Sequence, residues 1–293
     1  MGTSDHGKGF LLTFLGVMVL TPDTLLIRLV GLDQWSVVFW RGLLMGSTLM
    51  VTLALIYRQR LFGAIRETGR YGLMISASYT LSSMGFVLSV SHTSVANTLV
   101  IVATSPMFAA LLSIVLLKEK INLATWVAIG LSFIGILVVV GDSFGSGDYA
   151  GNLFALMTAV SMAFGFTMIR RKPNTDMVPS LAVAGLAAAA ITFPLTGAFD
   201  YSQDQMQWIA VMGVVVLPIS FGLLTIGPRF IPAPEVSLLM LLETTLGPLW
   251  VWLVIGEEPS RNALIGGGIV VGTLVIHSLR RLMRARKRKN ALA

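Results

Sequence analysis

The 293-residue chain contains no cysteine, which excludes disulfides, thiolate metal sites and cysteine nucleophiles. Charge is also scarce. Only 12% of residues are Asp, Glu, Lys or Arg, against about 25% in an ordinary soluble domain. A soluble surface of this size could not be covered with so little charge, so a cytosolic enzyme, a disordered chain and a DNA-binding domain are excluded. Histidine is limited to His6, His92 and His277, in the tail, a loop and a helix end. There is no His-Glu-x-x-His run, no Ser-His pairing by spacing and no Gly-rich phosphate loop, so neither an enzyme nor a resident cofactor or metal is expected. Met1-Gly2 opens like a myristoylation signal, but His6 stands where Ser or Thr is needed.

What is abundant is hydrocarbon. Hydrophobic residues make up 55% of the chain and the mean hydropathy is +0.81. A spanning helix needs about 20 mostly apolar residues. Ten such runs are present, at about 10–30, 36–57, 71–90, 95–116, 123–141, 150–170, 180–199, 207–227, 235–255 and 263–281. No small-residue cleavage site follows the first run, so it reads as a retained helix rather than a signal peptide. The predicted fold class is an all-α polytopic membrane protein with ten transmembrane helices.

The charges then set orientation. Arg58, Arg60, Arg66, Arg70, Lys118, Lys120, Arg170, Arg171, Lys172, Arg229, Lys8 and the basic tail beyond Leu279 fall in alternate loops and at the two ends. The opposite loops hold Asp33, Asp142, Asp148, Asp200, Asp204, Glu257 and Glu258, with Arg261 as the clear cation. The positive-inside rule places both termini in the cytoplasm of what reads as a bacterial inner membrane. The net charge of +7 therefore points to anionic lipids at the tail, not to nucleic acid.

An internal repeat is visible. An offset of 138 residues maps Glu119 onto Glu257, Gly130 onto Gly268 and Ser82 onto Ser220; helix 1 matches helix 6 at an offset of 142, with Gly9 onto Gly151 and Arg28 onto Arg170. Two five-helix halves result, residues 1–145 and 146–281, followed by the basic tail 282–293. Five is odd, so the halves are inverted, and the charges agree: Glu119 is flanked by Lys118 and Lys120, whereas Glu257 is flanked by Glu258. Inverted repeats are a plan of secondary transporters, with the substrate site at the repeat interface near the midplane.

Several motifs in order carry a family resemblance. They are Phe39-Trp40-Arg41 at the start of helix 2, Pro106 followed by Phe108-Ala109-Ala110-Leu111-Leu112 and Lys118-Glu119, Gly151-Asn152-Leu153, and Leu242-Glu243 followed by Gly256-Glu257. With these the chain resembles the drug/metabolite transporter superfamily, in particular its EamA-type ten-helix exporters, over nearly its whole length. The resemblance implies export of amino acids or other small metabolites. Two departures stand out: Thr244 in place of a proline, which predicts a straighter helix 9 than helix 4, and Thr21-Pro22-Asp23 in place of tryptophan and glycine.

Polar stripes within the spans are the candidate cavity lining, because an unsatisfied polar group in hydrocarbon is costly. Helical spacing aligns Ser76, Tyr79 and Ser83; Asn97, Ile101, Thr104 and Phe108; Thr158, Ser161 and Gly165 beside Phe164; Pro218, Phe221 and Thr225; and Met240, Glu243 and Gly247. Ser and Thr have an alternative use as helix-contact glue. Glu243 lies about 12 Å into helix 9 at 1.5 Å per residue, near the midplane, and is the candidate substrate-amine partner or coupling group. Pro22, Asp23 and Arg41 form a second, gating candidate, with Asp23 paired to Arg41 or Arg28. Glu119 and Glu257 sit at helix ends and read as structural, beside the N-caps Asn122 and Ser260. Pro106, Pro194, Pro218 and Pro248 predict kinks. Gly42, Gly46, Gly266, Gly267, Gly268 and Gly272 allow close helix approach, within a monomer or across a dimer. The mostly neutral, aromatic candidates favour neutral or aromatic amino acids as the exported solute. A proton-coupled exporter of cationic drugs and an ion channel are the alternatives.

Overall fold

The computed structural model describes residues 3–117, 123–141, 149–172, 175–197, 199–226, 230 and 233–291. Lys118, Glu119, Lys120, Asn122, Asp142, Asp148, Arg229 and the boundary at 145 lie outside the described residues, as do the side chains of Pro106, Arg170, Arg281 and residues 284–291. Among the described residues there is no strand. The helices are α1 (Thr3–Leu20), α2 (Asp23–Val30), α3 (Gln34–Tyr57), α4 (Leu61–His92), α5 (Val95–Val102), α6 (Ser105–Leu117), α7 (Leu123–Gly141), α8 (Tyr149–Arg170), α9 (Val178–Thr192), α10 (Gln203–Ala210), α11 (Leu217–Ile226), α12 (Ala233–Ile255) and α13 (Arg261–Ala291).

Among the described residues six stretches are long and apolar enough to cross a membrane: Gly7–Val30, Gln34–His92, Val95–Leu116, Tyr149–Ile169, Val178–Leu195 and Gln203–Ile226. Trp126–Val139, Leu242–Ile255 and Arg261–His277 are shorter apolar helices. The 59-residue stretch Gln34–His92 comprises α3 and α4, which pack on each other. Arg58 (φ 50°) closes α3, and Gly69 (φ 55°, ψ −148°) breaks α4, isolating Leu61–Thr68 as a short helix between two long ones. Leu49 and Leu53 share a core cluster with Ile75 and Tyr79, so α4 runs back along α3. The outside is apolar: Leu55, Phe62, Leu123 and Leu137 are about two-thirds exposed or more. Buried hydroxyls instead bond their own helix, as Thr13 does to Gly9 O (2.9 Å) and Thr167 to Ala163 O (2.8 Å).

Two spans are broken by local chemistry. Pro22 has no N–H to donate, and the chain between α1 and α2 turns at Thr21-Pro22. Trp250 Nε1 donates to Thr21 Oγ1 at 3.2 Å across this break. The second break separates α5 from α6 at Ala103-Thr104; Pro106, which has no N–H, cannot return a hydrogen bond to Val102, four residues back, at the end of α5. By contrast α12 runs unbroken through Pro248. Pro218 follows a π-helical turn, Val211–Val216, whose i→i+5 spacing is wider than that of the α-helices on either side. Pro194 falls in the 3₁₀ turn Phe193–Leu195 that follows α9 and closes the apolar stretch Val178–Leu195. Asp33 caps α3, accepting from Trp35 N and Ser36 N at 3.0 Å, and Ser260 caps α13, accepting from Ala263 N at 3.0 Å.

Glycines bring the centre together. A Cβ on Gly42 would stand 2.5 Å from Gly185 O, and one on Gly185 would stand 2.8 Å from Gly42 O. Thus α3 and α9 cross backbone to backbone, the arrangement that small residues permit in a membrane. Gly135 of α7 and Gly266 of α13 repeat the reciprocal contact. The expected glycine surfaces at Gly42, Gly46 and Gly266 are therefore occupied within the chain.

Candidate functional site

Where these helices surround the α3–α9 crossing they enclose a cavity of about 80 Å³, space for a few waters. Its walls come from α1 through α5, α8, α9, α11 and α12. Arg41 apart, the α3 and α9 contributions, Gly42 and Met45 facing Leu181, Ala184 and Gly185, lie outside the stripes expected from sequence.

One wall is aromatic. Tyr79 stands between Phe166 and Phe221, each edge-to-face with ring centroids 6.3 Å apart, a favoured aromatic geometry. Gly165 leaves room for the Tyr79 ring: a Cβ there would lie 3.2 Å from Cε2. Phe86 lines the same space one to two turns along α4, with Ser82 and Ser83 between.

The other wall is ionisable. The Pro22 break starts α2 at Asp23, whose carboxylate faces the Arg41 guanidinium in a two-pronged pair, Nη1 to Oδ1 and Nη2 to Oδ2, the latter at 2.7 Å. Side-chain exposures of 5% for Arg41 and 2% for Asp23 remove this pair from bulk solvent. Arg41 also lies against Met212 Sδ (3.5 Å) and over the Phe86 ring (5.6 Å to the centroid). The sequence left Asp23 a choice of partner; the geometry selects Arg41. Arg28 turns elsewhere. Its Nε is 3.0 Å from Glu257 Oε2 and its Nη2 donates to Thr93 O at 3.1 Å, while Glu257 Oε1 accepts from Val95 N at 2.9 Å. Glu257 thus caps α5 and ties it to the end of α2. Glu243 lines the cavity on α12, and no hydrogen-bond or ion-pair partner of its carboxyl is found among the described residues.

Nine of the sequence candidates meet at this cavity: Asp23, Arg41, Tyr79, Ser83, Thr158, Phe221, Thr225, Met240 and Glu243. Pro22, Asn97, Thr104, Ser161 and Phe164 do not line it. Pro22 sits at the helix break behind Asp23. Asn97 lies in the first turn of α5, where its Nδ2 donates to Thr93 Oγ1 at 3.3 Å. Thr104 bonds Ile101 O at 2.6 Å within the α5–α6 break. The Ser161 carbonyl accepts from Ser78 Oγ, a helix–helix bond. Phe164 packs into the cluster around Leu49 and Ile75. The α8 face that reaches the cavity is Thr158, Met162 and Phe166, an i, i+4, i+8 line, rather than the i, i+3 line through Ser161. Phe166 and Phe86 were legible in principle, since each continues the 3.6-residue stripe of a residue already singled out. Among the described residues no group of three or more His, Cys, Asp or Glu could hold a metal.

Comparison with known proteins agrees with this architecture. Residues 7–141 and 149–279 each match the EamA-like transporter family. The uncharacterized transporter YdfC of Bacillus subtilis (strain 168) is 26% identical over 247 residues, covering 78% of this chain and 77% of that protein. An uncharacterized transporter of Archaeoglobus fulgidus is 24% identical over 273 residues, covering 89% and 93%. A riboflavin transporter of Vibrio cholerae is 25% identical over 198 residues, covering 64% and 63%. One crystal structure superposes with a TM-score of 0.68 at 15% identity, over 94% of this chain and 98% of that one, and so shares its fold. The two matched segments together span most of the polypeptide, and the chain belongs to the EamA-like transporter family, multi-pass membrane proteins that move small molecules.

Proposed function

We propose that this protein is a secondary transporter of the bacterial inner membrane, with ten spans in two inverted five-helix repeats. It would export small metabolites, neutral or aromatic amino acids first, by alternating access. The observation that carries the proposal is a central cavity with an aromatic wall, an internally neutralised Asp23–Arg41 pair and the carboxyl of Glu243, which has no hydrogen-bond partner among the described residues. Such a site offers a zwitterion or a flat neutral solute apolar surface and hydrogen-bonding edges without a large net charge.

Counting Gln34–His92 as two spans, because it doubles back, and each shorter apolar helix as one gives ten. The packing pattern supports inverted halves at 1–145 and 146–281. If each half's five spans correspond in order, the packing of α4 on α8 has its image in α1 on α11. Likewise α5 and α6 on α8 mirror α1 and α2 on α12, and α3–α9, α5–α12 and α7–α13 are their own images. A two-fold relation of this kind supplies two exchangeable conformations around one central site. Loop charge supports cytoplasmic termini, with anionic lipid rather than nucleic acid as the partner of the tail 282–293; the working unit is a monomer, with a dimer as the alternative.

The named substrate of the Vibrio cholerae relative, riboflavin, is itself a flat aromatic solute, so it belongs among the test ligands. The second reading, proton-coupled export of cations, is favoured by the Glu243 carboxyl on the cavity wall. The deciding experiment is uptake of labelled aromatic and neutral amino acids into proteoliposomes, with riboflavin and a cationic dye as competitors. Saturable uptake increased by internal amino acid, retained in Glu243→Gln, supports exchange. Uptake that follows a pH gradient and loses that dependence in Glu243→Gln supports proton coupling. Flux that is neither saturable nor trans-stimulated overturns the carrier and supports a channel.

A further inference from the structure

A second pocket, of about 230 Å³, opens at the arginine-rich end between α4 and α9. It lies away from the central cavity, between the last turn of Leu61–Thr68, which supplies Ile65, Arg66 and Thr68, and residues of two helix beginnings. Pro179, Ser180 and Val183 come from the first turns of α9, a 15-residue helix. Gly69, Gly72 and Leu73 come from the start of the long part of α4, re-initiated after the left-handed Gly69. Both helix beginnings turn the positive end of their dipoles toward this space; in the first turn of the 15-residue helix Val178 N and Ser180 N are already bonded, to Asp176 Oδ1 (3.2 Å) and Met177 O (3.0 Å), so its contribution is the dipole and the Ser180 hydroxyl.

Two side chains add to this. Arg66 lines the pocket, is exposed and makes no ion pair among the described residues. Ser180 lines it at 2% exposure, and its Oγ has no hydrogen-bond partner among the described residues. A buried hydroxyl left unpaired is costly, because its desolvation is not repaid. The neighbouring hydroxyls are already committed: Ser76 Oγ donates to Ser180 O (2.8 Å) and Thr68 Oγ1 to Ile65 O (2.7 Å). The acid nearest the start of α9, Asp176, is not part of the lining; it accepts from Tyr57 OH (2.6 Å) and Val178 N (3.2 Å).

We infer that this pocket is a phosphate-binding site, with Arg66 as the charged clamp, Ser180 as the buried donor and the two helix beginnings as the cradle. The same chemistry serves a phospholipid headgroup at the membrane surface or a free phosphate in solution. It does not depend on the identity of the transported solute.

The test uses the full chain in nanodiscs. Thermal unfolding is followed in phosphatidylglycerol against phosphatidylcholine, and separately in phosphatidylcholine with inorganic phosphate replacing chloride at constant ionic strength. A rise in Tm with inorganic phosphate assigns the site to free phosphate; a rise with phosphatidylglycerol alone assigns it to lipid. In either case Arg66→Gln should weaken the apparent affinity about tenfold or more, the loss of one charge-assisted hydrogen bond. Ser180→Ala breaks no existing side-chain bond, so it should fold normally and still weaken the response. The tail variant Arg288→Gln/Lys289→Gln should respond like the parent protein. No rise with either anion, or a rise that survives both Arg66→Gln and Ser180→Ala, overturns the proposal.

Discussion

Replacing Asp23 by leucine removes one partner from an ion pair that is shielded from bulk solvent. Arg41 is then left charged among Met212, Phe86 and the cavity wall, with a side-chain exposure of 5%. Breaking a buried pair in this way costs about 3–5 kcal/mol, because the surviving charge keeps its desolvation penalty and loses its compensation. Arg41→Met should cost a similar amount through the stranded Asp23 carboxylate, which is 2% exposed. The double variant Asp23→Leu/Arg41→Met strands neither charge, and hydrophobic replacement of a whole buried pair is often close to neutral. The expected coupling between the two sites is therefore several kcal/mol, far above the ~0.5 kcal/mol scatter of independent positions. The assay is reversible unfolding in mixed detergent micelles, followed by the fluorescence of the six tryptophans. Single variants within about 1 kcal/mol of the parent protein, or a double variant that equals the sum of the singles, would refute the reasoning. The pair would then be hydrated, and the cavity wall open to solvent at this point.

Other outcomes follow from the same geometry. Gly185→Ala should destabilise by about 1–3 kcal/mol, since its Cβ would lie 2.8 Å from a backbone oxygen, whereas Gly268→Ala, with nothing within 4 Å, should be neutral or slightly stabilising in the same unfolding assay. Phe166→Ala should weaken the half-saturating concentration of an aromatic substrate about tenfold, the worth of one lost aromatic contact, while Phe164→Ala should leave it unchanged in proteoliposome flux. Glu257→Gln should cost about 1 kcal/mol or less, because Arg28 and Glu257 are each about a quarter exposed, yet it should speed thiol labelling of Ala96→Cys by loosening the α2–α5 tie. An introduced cysteine is unique in this cysteine-free chain, and an unchanged labelling rate would show that the tie bars no access.

The spans, their apolar outer faces and the stripes on α4 and α12 were legible because each depends on residues close together in sequence. Pairing was legible only as alternatives. Asp23 had two arginines within reach, and only packing showed that Arg28 is taken by Glu257, 229 positions away. The face of α8 was misjudged for a related reason. Ser161 and Met162 differ by one residue and 100°, and polarity pointed to serine, while the serine carbonyl is used against α4. The roles of α3 and α9 were hidden because a glycine has no chemistry of its own to read. Gly42 and Gly185 gain meaning only when each is seen against the other's backbone.

That reciprocal contact constrains how the sequence can change over generations. At Gly42 the obstacle to a side chain is the carbonyl of Gly185, and at Gly185 it is the carbonyl of Gly42. Mutating one partner does not relieve the other, because the obstruction is main chain and no substitution removes it. A compensating second mutation is therefore not available at either position. The two sites should drift only together with a change in how the two helices cross, which makes this crossing a place where descendants of the gene keep their ancestral residues whatever solute they come to carry.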